Sequence, residues 1–381
     1  MPDVSPQQNA ASKPHVVICT DGVFPQAMGG MQRHSRLLAE HLAATGRIRL
    51  TVIHPHEAGV FAGVEGIEEV PIPGIDTSSF YLAELWRYSG RVASELERLR
   101  PDVILSQGFS VWKHIDRFSD RLIMHPHGLE MFQGLSWKER MMGLPFRWAV
   151  RYMARRSAVV ISLGGKLTPI LNKLVKGSRA RIAVIPNAVD VPPRPPDRTT
   201  SGPMRVLFVG RFAWNKGIDL LIAVARRFEQ DGLADEMRFE LAGDGPMLAA
   251  IKAEGVPSNA ELLGRVDDDR LFELYTACDV FVLPTRFEGM PTVVLEAMAR
   301  ARPIIVSDVG ATAELVDATN GGLLPSGDAE ALYEALKRML SASSEERRAM
   351  GEASYQRCAE RFAWPRVTER FLELFIPGVR G

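Results

Sequence analysis

Two glutamates, Glu288 and Glu296, are the acidic residues whose spacing says most about chemistry. They lie in PTRFEGMPTVVLEAMARARP with seven residues between them. Glu288 comes from the loop after an apolar strand, and Glu296 lies on the helix that begins near Pro291, because proline suits a first helical turn. Their paired oxygens could accept hydrogen bonds from the hydroxyls of a sugar and a ribose. The alternative is that both are solvated helix charges.

Two cations, Arg211 and Lys216, lie in a second strand-to-helix loop, VGRFAWNKGIDLLI. A guanidinium fork and a compact ammonium suit a diphosphate whose negative charge grows as it departs. No Walker A sequence, G-x-x-x-x-G-K-[ST], occurs here or at residues 164–167. The alternative is a pair of solvated cations beside a turn.

Glycine turns follow strands in both halves of the chain. Gly29 and Gly30 precede a predicted helix over residues 31–44, so bare backbone could approach a phosphate or a sugar. Neither this turn nor the one at Gly243 fits G-x-G-x-x-G, which argues against a nicotinamide or flavin dinucleotide. We expect Gly243 to lie where a strand ends, and it could also line the pocket of a bound ligand.

His125 and His127 follow another predicted strand, where an imidazole can donate a hydrogen bond near a reacting centre. The pair could also ligate a metal, but no third cluster has ligand spacing. Residues 267–269, three aspartates, fit a loose D-x-D pattern for Mg²⁺ on a diphosphate. Acids at a helix start are also ordinary complements of its dipole. The sequence favours a site without metal.

Short Val- and Ile-rich runs carry these loops and alternate with amphipathic stretches, which is typical of parallel strands joined by helices. The sequence predicts an α/β protein with two Rossmann-like domains facing across a cleft, where such folds bind ligands. Residues 191–204 hold five prolines and a glycine, which predicts a linker between domains at 1–190 and 205–361. The predicted strands cover residues 15–20, 49–55, 102–107, 121–128, 158–164, 205–210, 239–243, 280–284 and 302–307.

The composition of the 381 residues excludes several classes of protein. Forty-six basic residues balance 46 acidic ones, so the chain lacks the positive field of a nucleic-acid binder. Cys19, Cys278 and Cys358 form no C-x-x-C pair, which favours a reducing compartment. The polar start lacks a signal peptide, and no apolar stretch reaches the ~18 residues of a spanning helix. We expect a cytoplasmic protein, or one attached to the inner face of the membrane.

Residues 135–158 are the candidate for such attachment. They hold six basic residues and one acid among large apolar side chains, a mixture that can lie on an anionic bilayer. The alternative is a crossover helix with a buried apolar face and solvated arginines. The apolar side chains concerned are Trp137, Met141, Met142, Phe146 and Trp148.

These motifs together resemble the retaining glycosyltransferases of the GT-B fold, called group 1 or family 4. The resemblance is strongest over residues 206–324, and it includes HPHGLE at 125–130 and IPNAVD at 185–190. It implies that the C-terminal domain binds a nucleotide diphosphate sugar, UDP- or GDP-linked, and that the N-terminal domain binds the acceptor. It also implies that a terminal helix, about 362–381, packs back on the N-terminal domain.

The resemblance also assigns roles to matching residues. Arg211 and Lys216 would hold the diphosphate, and Glu296 would hold the ribose. Glu288 would bind the transferred sugar, and His127 would lie near its anomeric carbon. The family transfers with retention and without metal, and neither glutamate is expected to form a glycosyl-enzyme. The other implied donor contacts are Gly30, Gly243, Val266, Gly289, Met290, Pro291 and Thr292.

The sequence departs from the family at residues 164–165, at Ala188 and at residues 286–287, which affects acceptor contacts and pocket shape. We predict a metal-independent hexosyltransferase with a glycan or lipid-linked acceptor, in bacterial cell-surface polysaccharide or glycolipid synthesis. A sugar-nucleotide epimerase of the same fold and a non-catalytic nucleotide-sugar binder are the alternatives.

Overall fold

The structure, a computed structural model, describes residues 13–76, 81–133, 141–193 and 202–376. In these residues two parallel sheets are formed. The first contains β1 (His15–Cys19), β2 (Arg49–His54), β3 (Ile67–Pro71), β4 (Val103–Gln107), β5 (Leu122–His125), β6 (Val159–Ser162) and β7 (Arg181–Val184), and the second contains β8 (Met204–Val209), β9 (Met237–Ala242), β10 (Ala260–Gly264), β11 (Val280–Leu283), β12 (Ile304–Ser307) and β13 (Gly321–Leu324).

The strand order is β3-β2-β1-β4-β5-β6-β7 in the first sheet and β10-β9-β8-β11-β12-β13 in the second. The central strands are buried along their length, as β1, β11 and β12 show, which is the environment that helices on both faces create. The predicted α/β class with two Rossmann-like parallel sheets is confirmed. All nine predicted strands are present, although the strand predicted to reach residue 128 ends at His125, before Pro126.

Helices connect the strands and carry several caps that the sequence encodes. Asp267 caps its helix by accepting a 2.8 Å hydrogen bond from the Arg270 amide. Asp328 does the same for the Ala331 amide at 2.9 Å. The helices are α1 (Gly30–Ala44), α2 (Tyr81–Leu99), α3 (Leu144–Ala154), α4 (Leu167–Val175), α5 (Ile218–Gln230), α6 (Leu248–Ala253), α7 (Asp268–Ala277), α8 (Thr292–Met298), α9 (Ala329–Ser341), α10 (Ser344–Arg361) and α11 (Trp364–Phe375).

The chain divides into two compact units. The first comprises residues 1–125, 156–159 and 370–381, and the second comprises residues 126–155 and 160–369. These units cut through the first sheet, so the domain boundaries predicted at residues 190 and 205 stay a prediction. Most of the predicted linker, residues 194–201, lies outside the described residues, as does the end of the predicted terminal helix, residues 377–381.

Candidate functional site

The two loops that the sequence singled out in the second half meet through one ion pair. Lys216 lies at the end of a 3-10 turn after β8, and its Nζ donates a short hydrogen bond to Oε1 of Glu288, in the loop after β11. Gly217 follows with φ 72°, and a Cβ placed there would lie 1.9 Å from the Pro284 carbonyl. Only glycine fits this approach, so the local sequence brings the ammonium and the carboxylate together.

The loop that bears Glu288 is fixed by its backbone neighbours. The Ala311 amide donates a 2.8 Å hydrogen bond to the Gly289 carbonyl. Gly310 has φ 53°, and a Cβ there would lie 2.1 Å from the Glu288 carbonyl. The Glu288 side chain is only 12% exposed, so its position is set by packing as well as by Lys216.

Arg211 lies two residues after the end of β8 and is exposed to solvent. Its guanidinium has no ion-pair or hydrogen-bond partner in the part of the chain that the structure describes. The preceding residue, Gly210, touches Gly243: a Cβ on Gly243, where φ is 143°, would lie 1.9 Å from the Gly210 carbonyl. Gly243 is thereby at a strand exit, as predicted, and beside the Arg211 loop.

Glu296 lies on α8, where its Oε2 accepts a 2.8 Å hydrogen bond from the Tyr275 hydroxyl on α7. Helix α8 begins at Thr292 after Pro291, in agreement with the predicted start. The residue before the proline, Met290, has a carbonyl that accepts a 2.7 Å hydrogen bond from the buried Asn187 amide group. Sequence reasoning assigned no role to Tyr275 or Asn187, because both residues lie outside the E-x7-E segment that their side chains contact.

His127 belongs to the second unit and meets the Glu288 loop through its backbone. It has φ 60°, and its carbonyl would lie 2.1 Å from a Cβ placed on Gly289. The imidazole is half-buried. This contact brings the 126–130 segment against the loop that the E-x7-E motif defined.

Glu130 is a residue of this site that sequence reasoning missed. Its side chain folds back over Gly128, whose Cβ, if present, would lie 2.3 Å from Glu130 Oε1. Burial by surrounding protein raises the pKa of the Glu130 carboxyl, and the negative charge of Glu288 adds to the rise. Glu130 nevertheless keeps part of its surface in contact with solvent. Its position at the end of HPHGLE was the only sequence signal.

The first unit holds the other predicted residues. Gly30 begins α1, and a Cβ on it would have no heavy atom within 4 Å. His125 is buried beside His34, with ring centroids 5.3 Å apart. Burial lowers the pKa of His34 to about 4 and lowers the pKa of His125 well below its ordinary value. His125 is therefore a core residue, and its imidazole is uncharged at neutral pH.

Two other sequence candidates, Val266 and Asp267, lie after β10. Asp267 is a helix cap, and Val266 precedes it in the loop after β10, half-buried. Among the described residues, no group of three or more His, Cys, Asp or Glu side chains is arranged to hold a metal ion. No helix among them has the length and apolarity needed to cross a bilayer.

Comparison with known proteins places both halves of the chain. Residues 203–342 match the model for glycosyl transferases group 1, and residues 28–192 match the model for Glycosyltransferase Family 4. Glycogen synthase of Mycobacterium tuberculosis is 24% identical over 94% of this chain and 93% of its own.

Two solved structures share the fold. Sucrose-phosphate synthase of Thermosynechococcus elongatus has a TM-score of 0.80 and 20% identity, covering 95% of this chain and 98% of its own. HepE of Anabaena, solved in complex with UDP-glucose, has a TM-score of 0.68 and 17% identity, covering 95% and 99%. The two sheets and their strand-end loops thus define a GT-B glycosyltransferase fold. The chain belongs to the group 1, or family 4, glycosyltransferases.

Proposed function

We propose that this protein is a retaining glycosyltransferase that moves a sugar from a nucleotide diphosphate sugar to a glycan or lipid-linked acceptor without a metal. The observation that carries the proposal is the contact between Lys216 and Glu288, with Arg211 exposed in the same loop as Lys216. Two cations can hold a diphosphate beside a carboxylate that accepts sugar hydroxyls. Family membership supports the same reaction class.

The chemistry follows from a change of partners. In the structure, Lys216 neutralises Glu288. An entering diphosphate would attract the ammonium, and the Glu288 oxygens would then accept hydrogen bonds from the transferred sugar. As the glycosidic bond breaks, negative charge grows on the leaving diphosphate, and Arg211 and Lys216 stabilise it. The backbone of Gly289, Met290, Pro291 and Thr292 would complete this pocket.

The remaining roles concern protons and orientation. Glu296, already aligned by Tyr275, would hold the ribose. His127 would contact the sugar near its reacting carbon, and Gly30 would approach the phosphates. Neither glutamate is proposed as a nucleophile, so the acceptor loses its proton to the departing phosphate, on the face from which the bond breaks. Gly243 and Val266 would border the base.

A UDP-linked sugar is the first donor to test, because the structurally similar HepE was solved with UDP-glucose. GDP-linked sugars form the second set. We place the reaction in the cytoplasm, in synthesis of a bacterial cell-surface polysaccharide or glycolipid.

A thermal-shift panel of nucleotide sugars tests donor binding. A donor at 100 times its Kd adds about 2.7 kcal/mol of apparent stability. Lys216→Ala and Glu296→Ala should remove or strongly reduce the shift of the best donor. Lys252→Ala, on exposed α6, is the matched control and should keep it. An intact shift in both site variants would contradict the site.

Mass analysis separates the three possible functions. A transferase hydrolyses its donor slowly when incubated alone and transfers the sugar when an acceptor is added. An epimerase would convert the donor to an isomer of equal mass, resolved by chromatography, without an acceptor. A non-catalytic binder would show a thermal shift and neither reaction.

We also propose that α3 contacts an anionic membrane. Trp148 on this helix is 61% exposed, and the preceding Met142 is 69% exposed. Arg151 is exposed beside them. Exposed apolar and basic groups on one helix suit the interface of a bilayer with negative headgroups. Residues 134–140, part of the predicted segment, lie outside the described residues.

The arginines of this segment differ in their contacts, which decides the experiment. Arg155 donates to the Lys176 carbonyl at 2.6 Å, and Arg156 pairs with Asp116 at 2.9 Å, so reversing either charge would disturb the fold. Arg151→Glu and Trp148→Ser change exposed side chains instead. Arg151→Glu should weaken sedimentation with phosphatidylglycerol vesicles by at least about fivefold, since loss of one basic residue alone costs about 1 kcal/mol. Trp148→Ser should weaken it as well, because it removes an exposed aromatic side chain. Trp86→Ser, at an exposed tryptophan on α2, is the control; equal binding by all variants would contradict the membrane contact.

A further inference from the structure

Arg286, in the loop between β11 and Glu288, is an almost fully engaged side chain. It is 8% exposed, and its two Nη atoms donate to the two oxygens of Asp219 at 2.8 Å each. Its guanidinium lies 4.4 Å from the ring centroid of Trp214. Nη1 also donates to the Trp214 carbonyl at 2.5 Å. One side chain thus binds a helix start, an aromatic face and a main-chain carbonyl.

These contacts connect the two loops of the candidate site. The Arg286 amide donates to the Asn215 carbonyl at 2.8 Å, and the Thr285 hydroxyl donates to the same carbonyl at 2.9 Å. Asn215 directly precedes Lys216, and Glu288 is two residues beyond Arg286. The guanidinium therefore joins the turn that ends in Lys216 to the loop that ends in Glu288.

We propose that Arg286 is a positioning residue for donor binding, which fixes the spacing between Lys216 and Glu288 through Asp219 and Trp214. This positioning role rests on the proposed function, because a nucleotide diphosphate sugar must meet Lys216 at its diphosphate and Glu288 at its sugar. A lysine in place of Arg286 could not make the paired contact with Asp219, and it would not present a planar guanidinium to the Trp214 ring. The ammonium and the carboxylate would then lose their fixed separation.

A second arginine with a carboxylate and an aromatic partner lies further along α5, beyond Asp219. Arg227 on α5 donates to both oxygens of Glu330 on α9, and its guanidinium lies 3.7 Å from the ring centroid of Tyr333. Like Arg286, it pairs with a carboxylate and an aromatic ring, but it joins two helices at a more exposed position. Arg227→Lys therefore controls for the general loss of an arginine clasp.

The first measurement is amide hydrogen exchange in the free protein. Arg286→Lys should speed exchange at the Lys216 and Gly217 amides, which bind the Ala213 and Trp214 carbonyls. Arg227→Lys should leave both amides protected. Unchanged exchange at the turn in Arg286→Lys would overturn the positioning role whatever the protein's activity.

The second measurement is the KM for the best nucleotide sugar. Arg286→Lys should raise donor KM at least about tenfold, the scale of losing a charge-assisted hydrogen bond, with a smaller change in kcat. Free guanidinium should restore part of the donor affinity of Arg286→Ala. Equal donor KM in Arg286→Lys and Arg227→Lys would overturn the role. If the parent protein neither binds nor hydrolyses any nucleotide sugar, the proposed function fails, and the donor role with it, while the exchange data still decide whether Arg286 holds the turn.

Discussion

The strand-end loops of the two sheets hold their polar side chains in different states. In the second unit, Lys216 is paired with Glu288, and Arg211 is exposed. In the first unit, burial raises the pKa of Asp21, after β1, and lowers the pKa of His125, the last residue of β5, so these two groups favour their uncharged forms. We therefore expect the second unit to bind the charged part of a ligand, as the proposed diphosphate site requires. Neutral groups suit hydroxyls, because no buried charge must then be compensated.

Glycine shows the same contrast between the units. Gly289 is enclosed by its own fold, since a Cβ would meet the His127 carbonyl at 2.1 Å. Gly30 has open space around the same position. Gly289 therefore permits protein to contact protein, whereas Gly30 leaves room that a ligand could fill.

The largest effect is expected for Gly289→Ala. The added methyl group must displace either the His127 backbone or the Glu288 loop, and a shift of about 1 Å in such a site can cost a hundredfold in rate. We expect at least that loss in kcat/KM, together with about 1–3 kcal/mol of stability from overpacking. Steady-state kinetics and urea unfolding measure the two.

Gly30→Ala is the comparison variant. It should fold with unchanged or slightly higher stability, because alanine favours a helix over glycine. If Gly30 approaches the donor phosphates, this variant weakens donor binding without a stability change. Normal kinetics in Gly289→Ala would show that the two glycines do not differ in the way we describe.

The next effect concerns the buried imidazoles of the first unit. Burial lowers the pKa of His34 from 6.5 to about 4, so folding favours its neutral form. The stabilisation is complete above pH 6.5 and is lost as the pH falls toward 4. For this one group we expect a loss of roughly 2 kcal/mol between pH 7 and pH 5. His125, beside it, changes stability in the same direction.

The urea midpoint at each pH measures this loss. His34→Phe should flatten the pH dependence, because the ring remains but no longer takes up a proton. Phe371→Leu is the control, since Phe371 lies 6.3 Å from the His34 ring and does not titrate. It should lower stability equally at every pH. A His34→Phe protein with the parent's full pH dependence would contradict a neutral histidine core.

The sequence predicted the buried parts of the fold and missed its margins. The four strands that it did not predict, β3, β7, β10 and β13, are the four edge strands of the two sheets. Their burial is partial, as in β7, and β13 begins with two glycines, so neither shows the continuous apolar run of a central strand. Such runs were the signal by which strands were recognised.

The site followed a similar rule. The sequence identified Lys216 and Glu288 because each lies in a motif with a characteristic pattern, but their direct contact joins residues 72 positions apart. Glu130 was missed because it lies outside these motifs, and its raised pKa depends on burial and on Glu288, which is far from it in the sequence. The roles of all these residues stay predictions, and so do the domain boundaries.

The smallest effect we predict is at Glu130. Burial favours the neutral form of this carboxyl, although it lies in the second unit. The charged groups that face it are Glu288, which raises the pKa of Glu130, and Lys216, which lowers it. Arg147 is tied to the neighbouring Met131 carbonyl. Below this raised pKa, the Glu130 carboxyl is protonated and can donate a hydrogen bond to an oxygen of the nucleotide sugar. The affinity for the nucleotide sugar should therefore fall as the pH rises through that pKa.

Replacing Glu130 by glutamine or alanine distinguishes this from a structural role. Glu130→Gln keeps an N–H group that can donate a hydrogen bond at every pH. The Kd for the nucleotide sugar should therefore no longer rise at high pH. At low pH, Glu130→Ala should bind the nucleotide sugar about tenfold more weakly than the parent does, because alanine cannot donate the hydrogen bond. Glu273→Gln, at an exposed carboxylate on α7, should follow the parent. If Glu130→Gln retains the parent's pH dependence, the acid is charged like its neighbours, and the contrast between the two units is then complete rather than broken at this residue.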